Sequence, residues 1–139
     1  MSLALVYLAR GTNIHELSSV KNFFEDYHMY SPGCQHELIV IAKGWTCVER
    51  QNELQQLSQV NAAKVIELPD DGFDLGAYMR LAPLLSHDWV CFLNTHSRPR
   101  VSGWLNLLRM TAEVSGMNVG AVSATASLET LIAFCIVFK

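Results

Sequence analysis

The chain has 139 residues, enough for one domain around one sizeable core. Half of the residues are hydrophobic and 17% are charged, a balance that excludes a disordered chain. The formal net charge of −3 argues against a nucleic-acid surface, whereas small anionic ligands remain open because loops and helix amino ends bind them whatever the net charge.

Residues 3–9 are apolar apart from Tyr7 and read as a first buried strand. No basic region precedes them, so they do not read as a signal peptide. Arg10, Gly11, Thr12 and Asn13 break the run, and Asn13 with Glu16 three residues later has the spacing of a capping box. Leu17, Val20, Phe23, Phe24 and Tyr27 then recur at helical spacing until Ser31, Pro32 and Gly33 close the helix. Residues 37–42 hold Leu38, Ile39, Val40 and Ile41, a second buried strand followed by Lys43, Gly44 and Trp45. A helix is expected over residues 48–60 with Leu54, Leu57 and Val60 on one face, and a short third strand over residues 64–68.

Pro69, Asp70, Asp71, Gly72, Phe73 and Asp74 form a loop rich in acids and turn residues. Asp74 is placed to cap a helix whose apolar face would be Leu75, Met79, Ala82 and Leu85, with Pro83 predicting a kink or an early end. Trp89 to Leu93 is an unbroken apolar run whose length and following Pro99 favour a strand. Asn94, Thr95, His96 and Ser97 follow it directly. Ser102 is placed to cap a helix through Trp104, Leu107, Leu108, Thr111 and Val114, ended by Ser115 and Gly116, and residues 119–126 read as a fifth strand.

Residues 131–138 are wholly apolar but far short of the ~18 residues that span a bilayer. They read as a buried core segment or as a fold cut in its middle, and as the strand through which a homodimer would pair. The four cysteines, Cys34, Cys47, Cys91 and Cys135, include no CxxC pair. Cys91 and Cys135 lie inside apolar runs, which suits core residues in a reduced, cytoplasmic setting.

Strict alternation of strands and helices predicts an α/β, Rossmann-like domain over residues 1–139, with a mostly parallel sheet and helices on both faces. In such sheets ligands bind outside the carboxyl ends of the strands. The dinucleotide GxGxxG, the P-loop, the GxSxG elbow and HExxH are all absent from the sequence.

Three constellations remain. In the first, Asp70, Asp71 and Asp74 repel one another unless a metal, an arginine or a helix amino end lies near. Capping with a solvated turn and a ligand role both remain open for them. In the second, His96 offers imidazole and Asn94 an amide oxygen to a divalent metal, against the plainer reading of a polar turn. Neither carries charge, so Mg²⁺ or Mn²⁺ would need phosphates from a ligand. In the third, Arg10, Arg98 and Arg100 have the chemistry to hold a diphosphate bidentately, against that of a solvated loop. His15, His28, His36 and His87 show no ligand spacing.

These pieces, in this order, resemble the A-type, family-two-like glycosyltransferases and in particular the bacterial glycosyltransferase-like proteins related to rhamnan synthesis. The resemblance rests on Asp71 to Tyr78, on Trp89 to Pro99, on Gly103-Trp104-Leu105, on Lys43-Gly44-Trp45 and on residues 119–127, and it covers nearly the whole chain. It implies a nucleotide-diphospho-sugar transferase type of fold, a nucleoside-diphosphate sugar as partner and Mn²⁺ or Mg²⁺ as cofactor. It further implies an unidentified saccharide acceptor and work in polysaccharide biosynthesis in the cytoplasm or at the membrane surface. Arg10, Asp71, Asp74, Asn94 and Arg98 are the donor-binding residues it suggests, and His96 with Asn94 the metal ligands.

The chain departs from that pattern in three ways. Asn94-Thr95-His96 replaces the Asp-x-Asp motif, Lys43-Gly44-Trp45 replaces the acid that reads the base, and the acceptor-binding half expected after the fifth strand is missing or vestigial. Trp45 is a candidate to stack on a base instead. An active glycosyltransferase or its donor-binding half is thus one expectation, and an inactive binding or assembly module the other. A receiver-like or flavodoxin-like domain ranks last, since the loop after the first strand lacks acids.

Overall fold

The computed structural model describes residues 2–12, 15–114, 121–123 and 135–138, and in the last two segments Val122 is the one side chain described. The elements run β1 (Leu3–Arg10), α1 (Glu16–Met29), β2 (Glu37–Lys43), α2 (Val48–Val60), β3 (Lys64–Leu68) and α3 (Phe73–Leu81). A 3₁₀ turn (Ala82–Leu84) follows, then β4 (Trp89–Leu93), α4 (Trp104–Val114), β5 (Ala121–Ser123) and β6 (Cys135–Phe138). Pro83 lies in the 3₁₀ turn, where its ring ends α3 as expected.

Among the described residues, six strands form one sheet in the order β3-β2-β1-β4-β6-β5. β1 is central and pairs in parallel with β2 on one side and β4 on the other. The chain winds outward through β2 to β3 and returns to the far side of β1 as β4. The sheet therefore reverses its winding between β1 and β4, and at that switch point their carboxyl ends leave a crevice.

β1 is buried along nearly its whole length because both faces of the sheet are covered, and a strand so placed reads as a continuous apolar run. Its side chains alternate. Leu3, Leu5, Tyr7 and Ala9 enter a core with Val20, Phe23 and Phe24 of α1, Leu54 of α2 and Trp104, Leu105 and Ala112 of α4. Ala4, Val6 and Leu8 enter the opposite core with Ala77 and Leu81 of α3 and Leu85. Each such large side chain contributes roughly 1.5–3 kcal/mol by leaving water. In the first core the Tyr7 ring stacks on Phe23 with centroids 3.8 Å apart.

Several expectations change. β6 is an additional strand, antiparallel to both β4 and β5. It lies between them, and its residues 135–137 are paired on both sides. The α3 face toward the sheet is Ala77 and Leu81, while Leu75 and Met79 are exposed. Period alone had favoured the larger side chains, but the stripe that meets the sheet is that of Ala77 and Leu81, which continues to the buried Leu85. α4 likewise buries Trp104, Leu105 and Ala112 and exposes Leu107, Thr111 and Val114. α2 buries Leu54 and leaves Val60 exposed near its end.

Caps differ too. Gly72, with φ of 67°, stands at the N-cap of α3, and Asp74 falls within the first turn, where its charge still favours the helix dipole. α4 begins at Trp104, two residues beyond Ser102. The Gly103 and Asn106 amides donate to the carbonyls of Ser31 (2.7 Å) and Pro32 (3.0 Å), so a neighbouring loop satisfies this helix start. Asn13 and the side chain of Cys135 lie outside the described residues, and Cys91 is buried as expected.

Candidate functional site at the carboxyl edge

β1, β2, β3 and β4 deliver four short connections to one edge of the sheet. Arg10 ends β1 and Lys43 ends β2, the two residues standing opposite each other in the register. Residues 69–74 follow β3 and residues 94–98 follow β4. Polar chemistry gathers here because the apolar strands stop together at this edge.

The loop after β3 is acidic and is balanced by cations. Asp70 faces Arg10, with Oδ1 3.4 Å from Nε. That nitrogen is buried and makes no aligned hydrogen bond, so the pair is an ion contact rather than a bonded one. Asp71 is held bidentately by Arg80, through Nη1 to Oδ1 and Nη2 to Oδ2 (3.0 Å). The hydrogen bond from Arg80 is the main reason that the Asp71 carboxyl titrates below its ordinary value, and the same pairing raises the arginine. Asp74 is half-buried in the first turn of α3, and its charge adds to the burial that pushes the Tyr78 phenol up. Tyr78 itself packs on Phe92, with ring centroids 4.6 Å apart.

Beneath this loop lies Lys43, 1% exposed, whose ammonium donates to the carbonyls of Asp71 (2.8 Å) and Phe73 (2.6 Å). Trp45 lies across the end of β1. Its indole N–H donates to the carbonyl of Ala9 (2.7 Å), and its ring occupies the space where a Gly11 side chain would be, since a Cβ there would lie 2.3 Å from Cδ2. One edge of the ring expected to stack on a base is therefore fixed to β1.

The turn after β4 is built differently. Asn94 Oδ1 accepts from the His96 amide (3.1 Å) and the Ser97 hydroxyl (3.0 Å). Thr95 is buried; its hydroxyl donates to the carbonyl of Leu8 (2.8 Å) and accepts from the Arg10 amide (3.2 Å). The Thr95 carbonyl accepts from the Tyr7 phenol (2.7 Å), so the turn is stitched to β1 on the buried side. His96 is exposed, with Nδ1 3.4 Å from the Ser19 hydroxyl of α1. Arg98 reaches away to α1, where it meets the buried Asp26 bidentately at 2.6 and 3.2 Å. Arg100 is exposed.

The structure thus brings Arg10, Asp70, Asp71, Lys43 and Thr95 into one connected group and turns Arg98 toward α1. Among the described residues no group of three His, Cys, Asp or Glu side chains is placed to hold a metal ion. Asn94 and His96, with one oxygen already accepting two hydrogen bonds and no charge between them, do not fit Mg²⁺ or Mn²⁺ by themselves. A depression of about 700 Å³ at the opposite, amino edge of the sheet is lined by Tyr27, His36, Glu37 and His87, among others. Its imidazoles are engaged, His36 with the Tyr27 hydroxyl and His87 with Glu37, both at 2.8 Å. The grouping of cations and carboxylates favours the carboxyl edge as the site.

Pattern reading named Lys43 and Thr95 only as members of motifs, without the contacts they make, and missed Asp26. A lysine closing an apolar strand just before a glycine, and an acid within the apolar stripe of α1, were the available signals.

No family model matches the chain, and no curated protein matches it by sequence. Solved structures do match. A cytidylyltransferase from Leptospira borgpetersenii superposes over 99% of this chain and 60% of its own, at 12% identity and a TM-score of 0.72. Glucosyl-3-phosphoglycerate synthase from Mycobacterium tuberculosis, in complex with UDP, superposes over 99% of this chain and 56% of its own, at 12% identity and a TM-score of 0.65. The chain has the A-type nucleotide-dependent transferase fold. The glycosyltransferase GlyE of Streptococcus pneumoniae shares it at 11% identity and a TM-score of 0.55, over 99% of this chain and 34% of its own. The mycobacterial synthase has also been solved with Mn²⁺, UDP and phosphoglyceric acid. The chain thus spans about 60% or less of these neighbours' lengths. Among the described residues no helix is long and apolar enough to cross a membrane.

Proposed function

We propose that the chain binds a nucleoside-diphosphate sugar at the carboxyl edge of its sheet, as the donor-binding part of a glycosyltransferase. The observation that carries this reading is Arg10. It ends the central strand at the switch point of a fold shared with a UDP-bound synthase. Among the described residues its guanidinium shows one loose ion contact, from Nε to Asp70, and its side chain is about one-third exposed. A diphosphate offers such a guanidinium a bidentate partner in place of that contact. Asn94 would offer its amide to the ribose, with Asp71 and Asp74 lining the same edge. Arg98, bound to Asp26, would brace the turn rather than meet the ligand. In transfer, the departing diphosphate gathers negative charge, which Arg10 would stabilise. If a divalent ion takes part, His96 and Asn94 would reach it only together with phosphate oxygens from the donor.

A second reading is a binding or assembly module without transfer. It is favoured by the turn after β4, where Asn94 and His96 stand at the positions of the two acids in the resembled motif. Titration calorimetry with UDP-, GDP- and dTDP-sugars, with and without Mn²⁺, tests both readings. Binding that Arg10→Ala weakens at least tenfold is the expected result, and the absence of heat with every donor in a folded sample would refute donor binding. Binding without release of sugar to water or to an oligosaccharide would favour the module.

A further inference from the structure

Lysine is among the residues least often buried, yet Lys43 is enclosed in the carboxyl edge of the sheet. Burying an ammonium is costly unless its donors are satisfied, and here two of the three are taken by backbone carbonyls of one loop, those of Asp71 and Phe73. That loop has an unusual backbone. Gly72 and Phe73 are consecutive left-handed residues, with φ of 67° and 53°, and a phenylalanine adopts that conformation only under constraint. The two carbonyls that flank them converge on one ammonium.

Lys43 is also tied to the other half of the site. Its own carbonyl accepts from the Gly11 amide (2.8 Å), and it stands opposite Arg10 in the register of β1 and β2. On its other side it stands opposite Leu68, the last residue of β3 before the loop. Gly44, next in sequence, has φ of 75°, and a Cβ there would lie 2.8 Å from Thr12 and 3.1 Å from Asp70 Oδ2. The chain after Lys43 therefore lies directly under Asp70. One residue links the strand end that carries Arg10 to the loop that carries Asp70 and Asp71.

We propose that Lys43 is a positioning residue, a clamp that fixes the loop of residues 69–74 against Arg10 and so sets the affinity of the carboxyl edge for a nucleoside diphosphate without touching it. The effect on affinity rests on the donor-binding reading above; the clamp itself does not. Arginine and carboxylate side chains at the site are exposed enough to rearrange around a ligand, whereas the buried ammonium holds the backbone from which they extend.

The test uses the full chain and the variant Lys43→Met, which keeps the length of the side chain and removes its charge and donors. Amide hydrogen exchange in the ligand-free protein is expected to quicken at least tenfold for residues 70–76 and to stay unchanged in β1 and β4. Affinity for UDP is expected to fall at least tenfold. Leu54→Ala serves as control: it destabilises the core through α2 and is expected to leave both readings unchanged. Equal exchange in the loop of Lys43→Met and wild type would overturn the clamp. A loosened loop with unchanged UDP affinity would overturn its bearing on binding. Should the wild type bind no UDP, the donor reading and the effect on affinity fail together, while the exchange data still decide the clamp. Should Lys43→Met not fold, the wild-type ¹⁵N spectrum of the lysine ammonium groups decides it. A slowly exchanging Lys43 signal is expected, and one that exchanges as fast as the exposed lysines would overturn the proposal.

Discussion

The loop after β3 and the turn after β4 end neighbouring parts of one sheet edge, and both are rich in polar side chains, but they hold those side chains in opposite ways. After β3 the backbone is fixed, by Lys43 and by two left-handed residues, while Asp70 and Asp71 extend outward to arginines that solvent also reaches. After β4 the side chains themselves are the fixings. Thr95 bonds into β1, Asn94 closes its own turn, and Arg98 is locked on a buried carboxylate. Exposed ion pairs contribute at most about 1 kcal/mol, so a ligand can displace them cheaply. Buried, fully engaged groups are costly to free. The comparison teaches that the part of this edge whose side chains can rearrange most cheaply is the acidic loop with its arginines, although the motif resemblance points first to residues 94–96.

The largest expected effect breaks the turn after β4. Asp26 is 4% exposed and Arg98 supplies both of its charge-assisted hydrogen bonds in the ion pair. Arg98→Ala strands that buried carboxylate, and the loss expected for Asp26 without a partner is about 3 kcal/mol. Urea unfolding measures it. If Arg98→Ala is as stable as wild type, Arg98 is free to serve a ligand and the contrast between the two connections disappears.

Thr95→Val comes next. The shape is kept, but the Leu8 carbonyl and the Arg10 amide lose their buried partner. A loss of about 2 kcal/mol is expected for such unmatched groups. The same change should leave exchange in residues 70–76 as it was, which separates the stitching of β4 to β1 from the clamp under the other loop. Equal loosening of both regions would show that they are one unit.

How much of this was legible beforehand follows the same division. β1, β2 and β4 stood out because a strand covered on both faces must be apolar throughout, and short runs with residues such as Val6, Ile39 and Phe92 favour that reading over a helix core. The carboxyl edge followed from the alternation of elements. What stayed hidden depended on contacts far apart in the chain. Asp26 meets Arg98 across 72 positions and Tyr7 meets Thr95 across 88, and nothing local marks either pair. β6 was legible as apolar but not as a strand inserted antiparallel between β4 and β5, since its place is set by pairing rather than by pattern. The faces of α3 and α4 were misjudged because period counts apolar residues and cannot tell which of two overlapping stripes meets the sheet.

A smaller effect, and a gain, is expected in the loop after β3. Phe73 is 79% exposed and has φ of 53°, so its ring buries little while its backbone is strained. Phe73→Gly should raise stability by about 1 kcal/mol, the order of the left-handed penalty for a residue with a Cβ. A shift of the urea midpoint to higher concentration checks this. A fall would mean that the phenyl ring, and not the Lys43 clamp, holds the loop.

The smallest effect concerns Asp71 and is read against pH. Its carboxyl titrates below the ordinary 3.8, first through the hydrogen bond from Arg80 and then through the charges of Arg80 and Lys43. A group whose folded value is depressed adds stability above its unfolded value and loses that contribution as pH falls through the folded one. Wild type should therefore melt slightly above Asp71→Asn at neutral pH, and the two curves should converge below pH 3.8. Because the pair is exposed, the gap should also shrink with added salt. A gap that persists at low pH and high salt would mean that Asp71 is held by more than an exchangeable arginine. The loop after β3 would then be as fixed in its side chains as the turn after β4.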